Sequence, residues 1–197
     1  MRQPEGQGNE MRVVRRYRGI TLIELMITLV VLVVLISLAA PAMTSLLETR
    51  RMAGASQAVY EQLQYARTEA IKQSRPIFVV VDSGTNGVGW CLGISDAPNC
   101  DCQLDDPEVA DACTVIAAVD TNAADPEQRV VRRVHADLFP TITLTTQPTE
   151  LSFNPVRGTA TYQVDGTRVL GESVTLTSPR GLERTATINV VGRVTLN

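Results

Sequence analysis

Apolar residues crowd the first third of the chain in one unbroken run. From Ile20 to Ala40 the sequence is apolar but for small hydroxyls and one carboxylate, Glu24, and about 20 such residues cross a bilayer as a helix. Beyond Pro41 the pattern changes from continuous to periodic. Met52, Ala55, Val59, Leu63, Ala66 and Ala70 recur in steps of three and four and so share one helical face, with Arg51, Glu61, Arg67 and Lys72 on the other. Pro41 softens the helix without ending it, because the pattern resumes at once. One helix of ~80 Å is predicted from Ile20 to Ser74, and Arg75-Pro76 stops it.

From there the apolar runs shorten and alternate. PIFVVVD, VGWCLGI, CTVIAAV, RVVRRVH, TITLTT, ELSFN, TATYQV, SVTLTS and TATINVVGRVTL read as strands, with turn signals at Ser83–Gly87, Asn154-Pro155, Asp165-Gly166 and Ser178–Gly181. With no second long helical pattern, the expected fold is α+β. A long N-terminal helix, transmembrane in its first half, packs its second half against one antiparallel β-sheet head. Aromatic residues are 4% of the 197, so the core is aliphatic and Trp90 is expected to pack on the helix. The organisation that follows is a basic leader over 1–19, a membrane half over 20–41, an amphipathic half over 42–74 and a β-rich head over 75–197.

Charge gives the anchor a direction. Arg12, Arg15, Arg16 and Arg18 precede the apolar run, and the first cations beyond it are Arg50 and Arg51. The positive-inside rule then keeps the N-terminus cytoplasmic and exports the rest. A cleaved secretory signal fits less well, because the run is too long and no small-x-small site follows it. The first ten residues carry no pattern, and MRVVRRYRG makes Met11 a second candidate start.

The four cysteines, Cys91, Cys100, Cys102 and Cys113, all fall in the exported part and point to two disulfides. Cys100 and Cys102 are too close to bridge without strain, so each bonds Cys91 or Cys113. Glu24 remains an oddity, since a carboxylate in a spanning helix calls for a partner.

These residues carry a family resemblance. Gly19-Ile20-Thr21-Leu22-Ile23-Glu24-Leu25 resembles the class III signal of type IV prepilins: a basic leader ending in glycine, a glutamate at the fifth mature position, then a long apolar run. Ala66–Ile71 (ARTEAI), Phe153–Ala160 (FNPVRGTA) and the closing Gly192-Arg193-Val194 are similar to the GspH/FimT minor pilins and pseudopilins. The resemblance implies a type IV pilin-like fold and processing by a prepilin peptidase/N-methyltransferase. The enzyme would cut after Gly19 and methylate the new amino group of Ile20. Glu24 would face the N-terminal ammonium of a neighbouring subunit, with Pro41 at the helix-softening position.

The function implied is structural: an inner-membrane subunit, contacting lipid, that joins other minor and major pilins and helps prime or cap a filament. A type II secretion pseudopilin is the nearest alternative. A DNA-uptake subunit is the second, through Arg132, Arg133 and Arg193, although the Gly-Arg-x-Arg motif of such subunits is here Gly192-Arg193-Val194-Thr195.

No cofactor, metal or enzymatic activity is expected. The single histidine, His135, reads as a strand residue, and neither a nucleophile elbow nor a phosphate loop is present. The acidic loop Asp101–Asp111 lacks the alternation of a calcium loop and reads as solvated. Charge is uneven along the head: residues 75–128 hold one cation and ten acids, whereas residues 129–197 hold eight arginines and five acids. A head of net -6 is a poor partner for DNA.

Overall fold

The computed structural model describes residues 19–119, 127–147, 150–164, 167–169 and 172–197. The leader arginines, the choice between Met1 and Met11, and the Asp165-Gly166 turn lie outside them. The chain divides into two units, the first ending at Met43 and the second running Thr44–Asn197. Helix α1, Leu22–Gln73, contributes to both.

The helix is shorter at each end than its pattern predicts, for local reasons. Thr21 caps its start: the Thr21 carbonyl accepts the Leu25 N–H at 3.1 Å and its hydroxyl accepts the Glu24 N–H at 3.3 Å. At the other end Ser74 turns left-handed, with φ 55°, ahead of Arg75-Pro76. That conformation cannot propagate a right-handed helix. Between these limits α1 continues through Pro41.

In the first unit every large apolar side chain of the helix is exposed. Ile20 is 74% exposed and the run from Leu22 to Leu38 is open throughout. It is long and apolar enough to cross a membrane.

In the second unit the stripe Met52, Ala55, Val59, Leu63, Ala66 and Ala70 is buried to the last residue. Eleven strands surround it among the described residues: β1 Ile77–Asp82, β2 Cys91–Ser95, β3 Thr114–Val119, β4 Glu127–His135, β5 Thr143–Gln147, β6 Glu150–Phe153, β7 Ala160–Val164, β8 Thr167–Val169, β9 Glu172–Thr177, β10 Glu183–Ile188 and β11 Val194–Leu196. They form two antiparallel sheets where one is predicted, of order β3-β4-β2-β1-β6-β7-β8 and β11-β10-β9-β5. The run TATINVVGRVTL divides into the hairpin β10–β11, because Asn189 and Gly192 close a turn inside it. Strand β8 has no counterpart in the predicted runs.

Both sheets turn an alternating apolar face to the helix. Ile77, Val79 and Val81 of β1, Leu144 of β5, Val174 and Leu176 of β9, and Ala186 and Ile188 of β10 join the helical stripe in one core. Trp90 is fully buried there; its indole N–H donates to the Ile142 carbonyl and its ring stacks on Phe139. The Tyr162 hydroxyl on β7 donates to the Ile188 carbonyl on β10, tying one sheet to the other, and burial pushes its pKa up.

Candidate functional site

The first unit holds the residues predicted for processing and assembly. Gly19 and Ile20 are exposed and non-helical, and Glu24 stands exposed in the first turn of α1. A carboxylate there complements the partial positive charge of the helix start. The sequence Thr21-Leu22-Ile23-Glu24 has the capping-box spacing, a signal that hydrophobic periodicity does not carry. Within this unit no basic side chain faces Glu24 among the described residues.

In the second unit three separate stretches of sequence meet at one arginine. Arg67 of α1 donates from Nε to the Gly158 carbonyl at 3.2 Å and from Nη2 to the Val191 carbonyl at 3.3 Å. Gly158 and Gly192 both hold positive φ, 61° and 73°. A Cβ on Gly192 would stand 1.8 Å from the Gly158 carbonyl oxygen, and one on Gly158 would stand 2.9 Å from Ile71. Only glycine lets these turns close on each other and on the helix. The segments Ala66–Ile71, Phe153–Ala160 and Gly192–Val194 are therefore one structural unit. This corrects the placement of Arg67 on the solvent face: it is half-buried and bound at both ends of its guanidinium.

The disulfides are Cys91–Cys102 and Cys100–Cys113. They pin the loop between β2 and β3 against β2, which is buried on both faces as a result. Leu92 and Ile94 point to the helix, whereas Cys91 packs among the sulfurs. Gly93 sits beneath them, where a Cβ would meet the Cys113 sulfur at 2.3 Å.

The three arginines suggested for DNA are not brought together. Arg132 and Arg133 are neighbours on β4 and so point to opposite faces. The Arg132 guanidinium lies 5.1 Å from the centre of the Tyr65 ring. Arg133 donates to the Cys102 and Gln103 carbonyls and approaches Asp105 at 3.6 Å, which ties it to the disulfide loop. Arg193 borders a different feature, a groove of about 460 Å³ between Gln57 and Tyr60 of α1 and the C-terminal residues Val194–Asn197.

Acids are neutralised locally, Asp96 among those counted in the uneven charge and Glu48 on α1. Asp96, with its side chain 4% exposed, lies between Arg75, at 2.8 Å, and Arg129. Glu48 holds the Arg180 backbone N–H and its Nε, each at 3.0 Å, and the Ser178 hydroxyl and this arginine lower its pKa. The His135 ring nitrogens face Gln103 and Asp137 at the surface. Among the described residues no group of three or more His, Cys, Asp and Glu is placed to hold a metal ion.

The protein family described as Type II transport protein GspH matches residues 55–192, and the Prokaryotic N-terminal methylation motif matches residues 14–40. Two crystal structures of the type IV minor pilin FimU of Pseudomonas aeruginosa (strain PAO1) are similar to the chain. One is 22% identical, with a TM-score of 0.44, over 76% of this chain and 90% of that one. The other is 20% identical, with a TM-score of 0.43, over 74% and 91%. No curated protein matches the chain.

Proposed function

The chain belongs to the GspH family of minor pilins and pseudopilins, and from that premise we propose that it is cut after Gly19, methylated on Ile20 and taken into a filament whose assembly it helps prime or cap. The observation that carries this reading is the pairing of an N-terminal methylation motif over 14–40 with a helix whose apolar half has no cover of its own. Such a helix is stable in lipid before assembly and among neighbouring apolar helices after it. Glu24 would then neutralise the ammonium of an adjacent subunit's first residue, a pairing favoured where the dielectric is low. Pro41 would soften the helix next to the span. The role is one of assembly, with no catalytic step.

Orientation follows from the four leader arginines, which hold the N-terminus in the cytoplasm. The two disulfides of the head agree, because they persist in an oxidising compartment. The partners proposed are the prepilin peptidase/N-methyltransferase and other pilin-like subunits. N-terminal sequencing of the mature protein should give N-methyl-isoleucine from Ile20. Glu24→Ala should leave the protein in the membrane and out of the filament; normal recovery of that variant in filaments would overturn the assembly role.

A second reading, favoured by the family's description as a transport protein, places the chain in a secretion pseudopilus. Deletion would then stop export of secreted proteins while leaving surface pili intact.

A further inference from the structure

Processing requires the bond between Gly19 and Ile20 to be reachable, and the helix begins two residues later. At the start of a helix each backbone C=O accepts an intrahelical N–H, so a scissile carbonyl absorbed into the first turn is a poor substrate. Something must stop α1 at Leu22. The residues upstream do not do so by apolarity, since Ile20 continues the run without a break.

Thr21 has both marks of the capping position. Its carbonyl accepts the first intrahelical bond, from Leu25, and its hydroxyl accepts the N–H of Glu24, an amide that otherwise has no partner in the helix. Gly19, Ile20 and Thr21 itself are non-helical, and the first two are exposed. In hydrocarbon the satisfied amide counts for more than in water, because no solvent replaces the missing acceptor.

We propose that Thr21 is a positioning residue for prepilin processing: by capping α1 through the Glu24 amide it holds the Gly19–Ile20 bond outside the helix, where the peptidase can take it. The inference rests on the cleavage proposed above and adds its local determinant. It also gives Glu24 a second part in the life of the chain, since its amide is the cap's donor before its carboxylate meets a neighbour.

The test uses the full chain in detergent micelles with purified prepilin peptidase, and variants that separate capping from shape. Thr21→Val keeps the shape and removes the acceptor; Thr21→Asn and Thr21→Asp change the shape and keep an acceptor; Thr21→Ser keeps both in part. Loss of a cap is expected to lower kcat/KM for Thr21→Val about fivefold, equivalent to ~1 kcal/mol at 1.36 kcal/mol per tenfold. The Ser, Asn and Asp variants should stay near the wild-type rate, and slowed amide exchange at Glu24 should be lost in Thr21→Val alone. Cleavage of Thr21→Val at the wild-type rate overturns the proposal and leaves processing intact. Equal losses in all four variants also overturn it, because they mark the side chain as a direct contact of the peptidase. A wild-type product that does not begin at Ile20 overturns the processing reading itself, and this inference with it.

Discussion

Two stretches of the same helix meet opposite surroundings. From Leu22 to Leu38 the large apolar side chains are all exposed, whereas from Met52 to Ala70 the apolar stripe is sealed. Leu29 is 52% exposed and Leu63 is 0% exposed, although both are leucines in helix α1. What separates them is the pattern around each. The first stretch is apolar on every side, a surface suited to lipid or to other apolar helices. The second is apolar on one face, and two sheets supply the cover.

The largest effect expected from this contrast is on Leu63. Leu63→Ala opens a cavity under the sheets and should reduce the head's stability by about 3 kcal/mol. Leu29→Ala should leave it unchanged. Urea unfolding of the full chain in micelles, followed through the buried Trp90, measures both. Equal effects would mean that the exposed stretch supports the head, and the division into two units would fail.

A smaller effect tests the head alone. Arg67→Ala removes two hydrogen bonds from a charged donor and should cost about 2 kcal/mol, with both turns loosened together. Lysine offers a point charge where a fork is used, so Arg67→Lys should recover only part of the loss. A change below ~0.5 kcal/mol, the range of an ordinary surface substitution, would show that the turns hold themselves.

These residues also show where the sequence speaks and where it falls silent. The six-residue helical stripe was legible because a period of three to four needs no knowledge of what packs on it. Apart from β8 and the division of the last run into β10 and β11, strand positions are legible to within a few residues for the same reason, at period two. The division into two sheets was not, because pairing joins residues far apart: β1 lies between β2 and β6, and β5 pairs with β9. A turn hidden in an apolar stretch, Asn189–Gly192, reads as strand because Val190 and Val191 keep the apolar character going.

Arg67 reads as solvent-facing because a charge at a helical position usually marks solvent, and nothing nearby in sequence predicts two carbonyls 91 and 124 residues away. The capping residue Thr21 was within reach, since Thr-x-x-Glu is a local signal. In the anchor the informative features are local, whereas in the head they are contacts.

The smallest effect concerns the place where α1 begins to be covered. Glu48, 14% exposed, grips Arg180 of the β9–β10 turn, and Arg180 also donates to the Thr44 hydroxyl at 2.8 Å. Hydrogen bonding from Ser178 and the charge of Arg180 hold the Glu48 carboxyl below its ordinary value. The unfolded chain therefore takes up this proton at a higher pH than the folded one. The contribution of Glu48 is present above the ordinary glutamate range and is lost as pH falls through it toward the folded value. Wild-type protein should lose an increment of head stability on acidification from about pH 5 to pH 3 that Glu48→Gln does not lose. Subtracting the two curves removes the other carboxylates common to both. The difference should shrink in high salt, because the pair lies at the surface. A salt-independent difference would place this turn in drier surroundings, extending the buried part of the helix toward Thr44.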